Sequence, residues 1–298
     1  MLKHGLVMRK GSVNMSLANL IKNAKRAEGR PSVLQAIDRH YNAQARYIDM
    51  ERTLDRMSRF QPSSISYQGA CPRQYSLFMN REEFDLEVEP VVKFGADMMR
   101  VFDHGHAIHA TYQDKILGPA GILYGRWKNG DQEVEGFRPH GEDWEYVEPR
   151  IVWPEKRISG YCDGLVFVDG RWAVLEIKSA NSNSFGWIKN TNRPRDYHVR
   201  QAQLYIFAPK KIEKPMKIEG CIILYYNKDT GEEMEFYVEA DESMLADMYQ
   251  QIDDAIYAAE NALLPPRLED CKTPKSKRAK ECAMCKACFS EKINAICQ

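Results

Sequence analysis

The sequence has no excess of either charge: among 298 residues, 42 Lys and Arg balance 42 Asp and Glu. A net field drawing the whole molecule to nucleic acid or to an anionic membrane is therefore excluded. Long apolar runs are also missing. A stretch such as CIILYY at 221–226 is far shorter than the roughly 20 residues of a spanning helix. No apolar run with a cleavage site stands at the N-terminus, which points to a cytoplasm rather than to secretion. No G-x4-G-K-S/T segment and no internal repeat occur, so an ATP-driven motor would have to come from a partner. What is present, 44% apolar and 28% charged residues, describes a globular chain able to close one substantial core with appendages.

Charge is segregated although it balances. Lys3, Arg9, Lys10, Lys22, Lys25, Arg26 and Arg30 dominate the first thirty residues, and 189–200 and 267–280 are further basic runs. Acid gathers at 82–89, 131–148 and 232–254. Such runs can line a basic channel or simply be solvated faces. Cysteine is just as uneven: Cys162 and Cys221 lie in strand-like apolar contexts as buried thiols. Cys71 stands alone before a proline, while Cys271, Cys282, Cys285, Cys288 and Cys297 crowd the end. In a reducing compartment that crowding favours metal over disulfides.

Periodicity organises the chain. Leu34, Ile37, Tyr41, Ile48, Leu54 and Met57 recur at helical spacing, a short helix is expected near Cys71, and a longer one over 92–117 with Gly95 and Gly105 inside it. Strands are expected near 145–152, 160–168, 172–177, 221–229 and 232–240, and helices over 197–208 and 244–264. Asp169-Gly170 is a hairpin turn signal. The order of elements predicts an α/β fold. Its expected parts are an N-terminal helical extension (1–70), a core (71–264) and a cysteine-rich tail (265–298) that packs back on that core.

Chemistry concentrates in GYCDGLVFVDGRWAVLEIKSA at 160–180. Strand alternation puts Glu176 and Lys178 on one face, and pairing across the Asp169-Gly170 turn brings Asp163 near Glu176. Charges among Leu165, Phe167, Val174, Leu175 and Ile177 need partners or a cation. Two carboxylates and the Ile177 carbonyl are hard ligands suited to Mg2+ or Mn2+, and Lys178 can hold a water or steady a phosphate. A half-exposed hairpin with a Glu-Lys pair is the alternative reading of D-x12-E-x-K.

The order Gly105-x3-His109, Asp163, Glu176-Ile177-Lys178, Gln201-x3-Tyr205 resembles the PD-(D/E)XK nucleases, specifically the RecB-type exonuclease branch. That resemblance implies a restriction-endonuclease-like mixed central sheet flanked by helices. It also implies a metal site of His109, Asp163, Glu176 and the Ile177 carbonyl, with one or two Mg2+ or Mn2+ ions, and Lys178, Gln201 and Tyr205 completing the catalytic group. His104 and His106 compete with His109, and Gln201 with Tyr205 also suits ordinary helix packing. Phe185 and Trp187 can stack bases or pack in the protein, and Glu148 can touch the site or merely begin a strand.

The resemblance extends to iron-sulfur members of the branch, in which one upstream and three downstream cysteines hold a 4Fe-4S cluster. Carried over, Cys71, Cys271, Cys282 and Cys288 would be the ligands, because Cys282-x5-Cys288 reproduces the family interval. Cys71, Cys282, Cys285 and Cys288 form a second possible set, and a Zn2+ knuckle of Cys271, Cys282, Cys285 and Cys288 is the alternative. The expected activity is metal-dependent DNA exonuclease action in replication, recombination or repair. The expected substrate is DNA that is single-stranded or has a free end, with a helicase or recombination protein as partner, no membrane, and a bacterial or phage-infected cytoplasm. A structure-selective endonuclease and a non-catalytic DNA-binding or assembly module are the rivals.

Overall fold

The computed structural model describes residues 33–45, 50–88, 96–141, 143–208 and 217–296. Gly95, Cys297 and the basic residues of the first thirty lie outside them. In chain order the first helices are α1 (Val33–Ala45), α2 (Met50–Met57), α3 (Pro62–Gln68), α4 (Pro72–Met79) and α5 (Ala96–Ala110), the last continued by a wider π turn over Thr111–Leu117. Then come strands β1 (Leu123–Asn129), β2 (Gln132–Phe137), β3 (Glu145–Val147), β4 (Arg150–Trp153), β5 (Ile158–Tyr161), β6 (Gly164–Val168) and β7 (Arg171–Ala180). Helices α6 (Ser182–Thr191) and α7 (Asp196–Phe207), strands β8 (Ile218–Asn227) and β9 (Glu233–Glu239), and helix α8 (Ala246–Glu260) follow. The tail holds the short helices α9 (Lys277–Lys280), α10 (Cys285–Cys288) and α11 (Glu291–Ile296).

The hairpin of β6 and β7 forms as its turn residues dictate. Asp169 and Gly170 both adopt positive φ, 51° and 77°, the conformation in which a two-residue loop matches the twist of its strands. Pairing runs from Val168 opposite Arg171 to Gly164 opposite Leu175. β7 then pairs in parallel with β8, placing Lys178 opposite Tyr225. A parallel pair needs a long crossover, which α6 and α7 supply. The sheet order is β2-β1-β6-β7-β8-β9, with β3 also on β1, and β4 and β5 form a separate hairpin.

Both faces of this mixed sheet are covered. On one, Val174, Cys221, Ile223 and Tyr225 pack with Phe185, Ile188, Ala202, Ile206 and Ile252 from the helices. On the other, Ala173, Leu175 and Ile177 meet Ile108 and Tyr112. The fold is therefore mixed α/β, with a central sheet flanked by helices and a helical stretch before it. Among the described residues no helix is long and apolar enough to cross a membrane.

Two differences from the expected elements position chemistry. The run expected as one strand over 160–168 breaks at Cys162 and Asp163, freeing Asp163 from ladder geometry just ahead of β6. The tail packs back through an apolar cluster. Its Met284, Ala287, Cys288 and Ile293 pack on Leu77 and Phe78 of α4. Arg73 Nη1 donates to the carbonyls of Leu264 at 3.3 Å and Pro265 at 2.8 Å, and Arg278 donates to those of Gln68 at 2.6 Å and Gly69 at 3.1 Å.

The iron-sulfur and zinc expectations are corrected accordingly. Cys71 is the N-cap of α4, its sulfur accepting from Gln74 N at 3.4 Å, and the Cys288 sulfur accepts from Arg73 Nε at 3.3 Å. Burial, with the charges of Cys71, Cys288 and Cys271, pushes the Cys282 thiol up to about 12, and burial raises the Cys71 thiol above its ordinary value. Among the described residues the group able to share a metal is His109, Glu148 and Asp163, and it contains no cysteine. Among the described residues neither the 4Fe-4S set of Cys71, Cys271, Cys282 and Cys288 nor the Zn2+ knuckle set forms a group able to share a metal, and the likeness to the iron-sulfur members does not hold.

Candidate metal centre

Five elements converge at the break before β6. Helix α5 brings His109; the π turn that continues it brings Gln113; the β3–β4 connection brings Glu148; β7 brings Glu176 and Lys178; and α7 brings Gln201 and Tyr205. His109 Nδ1 lies 3.2 Å from Asp163 Oδ1. Ligand atoms of His109, Glu148 and Asp163 lie within 4.8 Å of one another, close enough to share one cation. The Gln113 amide fixes two of the three, since Nε2 donates to Glu148 Oε1 at 3.1 Å and to the Asp163 carbonyl at 2.8 Å. Asp163 Oδ2 accepts from Ile177 N at 2.5 Å, which ties the carboxylate to the centre of β7.

Glu176 lies behind this group as part of a hydrogen-bonded chain. Its Oε1 accepts from Lys178 Nζ and from Gln201 Nε2, the latter at 2.9 Å. Gln201 also donates to Tyr205 OH at 2.9 Å, and Tyr205 donates onward to the Tyr161 carbonyl at 2.8 Å. Glu176 is only 2% exposed, and its Oε2 is buried without a hydrogen-bond partner. That oxygen retains capacity for a cation or a proton.

The electrostatics reflect crowded carboxylates. Burial, reinforced by the charge of Asp163, raises the Glu176 carboxyl to about 7 against the pull of Lys178. Burial and Asp163 likewise hold Glu148 above the usual carboxylate range. Burial alone would lower His109, but the hydrogen bond and charge of Asp163, with the charge of Glu148, outweigh it and the imidazole keeps its proton longer. For Lys178, burial is outweighed by Glu176 and Asp163, and the ammonium is retained. Such a set, one imidazole and several oxygens holding excess negative charge, fits a hard divalent cation such as Mg2+ or Mn2+.

The structure therefore brings His109, Asp163, Glu176, Lys178, Gln201 and Tyr205 together, with the backbone of Ile177 at Asp163 and its side chain in the opposite-face core. Glu148, which had two readings and was not placed in the expected metal set, lies beside His109 and Asp163, and Gln113 is the residue that sequence reasoning missed. Glu148 sits in EYVEPRIV before a strand, where no spacing marks it; Gln113 follows His109 at i+4, the interval that shares a helix face. Phe185, which had two readings, is buried in the core. Trp187 is covered by the Arg195 guanidinium, whose carbon lies 3.7 Å from the ring centroid.

No family model matches the chain, and no curated protein matches it. Among solved structures it is similar to LHK-Exo, an alkaline exonuclease from Laribacter hongkongensis, at 15% identity over 70% of this chain and 90% of that one, TM-score 0.41. The complex of LHK-Exo with dAMP gives 16% identity, 70% and 91% coverage, and a TM-score of 0.45. SSO0001 gives 14% identity, 87% and 96% coverage, and a TM-score of 0.38.

Proposed function

We propose that the chain is a Mg2+- or Mn2+-dependent deoxyribonuclease of the PD-(D/E)XK, RecB-like type, hydrolysing phosphodiester bonds at DNA ends. The observation that carries this reading is the convergence of His109, Glu148 and Asp163 on one point beside the buried Glu176 and its partner Lys178. His109, Glu148 and Asp163 would hold the cation, with Glu176 and the Ile177 carbonyl available to complete its shell. When bound, a divalent cation polarises a phosphoryl oxygen and lowers the pKa of a water.

The protein's own groups do the rest. The Ile177 amide and Gln113 fix Asp163 and Glu148, so ligand directions are set before any ligand arrives. The chain from Tyr161 through Tyr205 and Gln201 orients Glu176, which in turn holds the Lys178 ammonium. An ammonium fixed there can orient a water or counter the charge that develops on a phosphoryl oxygen. Lys189, Arg193, Arg195 and Arg200 on the neighbouring crossover suit backbone phosphates.

The test uses 5′-labelled, 3′-labelled and closed circular DNA with Mn2+ or Mg2+, comparing the wild-type chain with Asp163→Ala. We expect ends to be degraded by the wild type only, with a loss of at least about a hundredfold in the variant. Undiminished degradation by Asp163→Ala overturns the site, and efficient cutting of closed circles replaces exonuclease by endonuclease action.

A further inference from the structure

Outside the carboxylate cluster, a run of unassigned aromatic side chains joins the surface to the site. Tyr67, near the end of α3, is 56% exposed and meets Tyr197 edge-on, with centroids 5.2 Å apart. Tyr197 meets His198 at 4.3 Å, and His198 continues to Tyr225 at 5.5 Å. Tyr225 is the cross-strand partner of Lys178.

Hydrogen bonds fix the inner end of this run. The Tyr225 hydroxyl accepts from Arg195 N at 3.1 Å and lies 2.6 Å from His198 Nδ1. Burial, then Lys178 and Arg195, lower the His198 pKa to about 3, so the ring is a neutral plane at working pH. A cation stands at the outer end, with Lys277 Nζ 5.9 Å from the Tyr67 centroid.

An exposed aromatic ring beside a cation is complementary to an unstacked base and its phosphate. In a duplex the faces of the bases are covered by their neighbours, so the same ring has nothing to stack on except a terminal pair. We propose that Tyr67, braced by Tyr197 and flanked by Lys277, is a stacking platform that receives single-stranded DNA on its path to Lys178 and Glu176. The inference rests on the nuclease reading and adds to it the strand state and the side of approach.

Binding without hydrolysis tests it. In an Asp163→Ala background without divalent cation, fluorescence anisotropy is measured with a short labelled oligothymidylate and with a blunt hairpin duplex. Adding Tyr67→Ala is expected to weaken oligothymidylate binding about tenfold and leave the duplex nearly unchanged, while Tyr67→Phe retains binding. Lys277→Ala keeps the ring and is expected to weaken binding with a salt slope lower by about 1. Oligothymidylate binding by Tyr67→Ala equal to its parent overturns the platform alone, as does an equal loss on both DNAs in a variant whose melting is unchanged. Failure of the Asp163→Ala parent to bind oligothymidylate overturns the platform, and a wild-type chain that degrades no DNA with Mn2+ overturns the nuclease reading.

Discussion

Glu148 is where single-residue reasoning is most exposed to test. Its carboxyl is raised by burial and by Asp163, so between its unfolded and folded pKa values the folded protein holds more proton than the unfolded one. Metal-free stability therefore falls as pH rises through that window, and protonation restores it as pH falls. A cation acts in the opposite sense, because it binds the deprotonated ligands that are destabilising without it. The rise in Tm on adding Mn2+ should thus be small at acid pH and grow toward neutrality. Glu148→Gln should lose most of that rise, yet melt no earlier than wild type in EDTA at alkaline pH, since its amide no longer repels Asp163. A full Mn2+ response in Glu148→Gln, read by scanning fluorimetry, would remove Glu148 from the site. Glu176 was legible because strand alternation fixes its face, and Asp163 because the hairpin pairing returns the start of β6 to that part of β7. Glu148 was not, because its proximity is created by the pairing of β3 with β1, which no local spacing encodes.

At the scale of elements, the hairpin of β6 and β7 was readable from Asp169-Gly170, whereas β1, β2 and α6 were passed over. The signals were present: Asn129-Gly130-Asp131 joins β1 to β2, and Asn181 caps α6 by accepting from Ser184 N at 2.9 Å. They were obscured because β2 alternates between exposed and half-buried positions and so lacks an apolar stripe. These strands matter because β1 packs on β6 at Gly164, where an added Cβ would stand 2.5 Å from Leu123 Cδ1. Leu123 is fully buried. Gly164→Ala is accordingly expected to cost about 1–3 kcal/mol in urea unfolding. It should also displace the adjacent Asp163, lowering DNA cleavage by roughly a hundredfold. Gly105→Ala is the contrast, for a Cβ there meets nothing within 4 Å. Removing a glycine from inside α5 should stabilise by about 0.5–1 kcal/mol. Equal destabilisation by the two substitutions would contradict the close approach of β1 and β6.

For the whole molecule, the question is what joins α4 to the tail. The crowding of cysteines suggested metal, but the contact between residues in the seventies and those after 280 is made by short apolar patches. Leu77 and Phe78 on one side, and Met284, Ala287 and Ile293 on the other, are each too brief to show a period, and their meeting is a tertiary event. Cys288 joins that cluster as a buried, weakly polar side chain. Met284 is fully buried, and truncating it leaves a cavity between α4 and the tail. Met284→Ala should therefore cost about 2–5 kcal/mol. Its signature should be local. Hydrogen exchange should accelerate in α4 and α10, which share the cluster, before it changes in β6 and β7, whose cores lie on the central sheet. Exchange that rises uniformly through the sheet would mean that the tail and the metal centre unfold as one unit. Loosening confined to α4 and the tail helices would make the apolar patch the clamp between α4 and the tail.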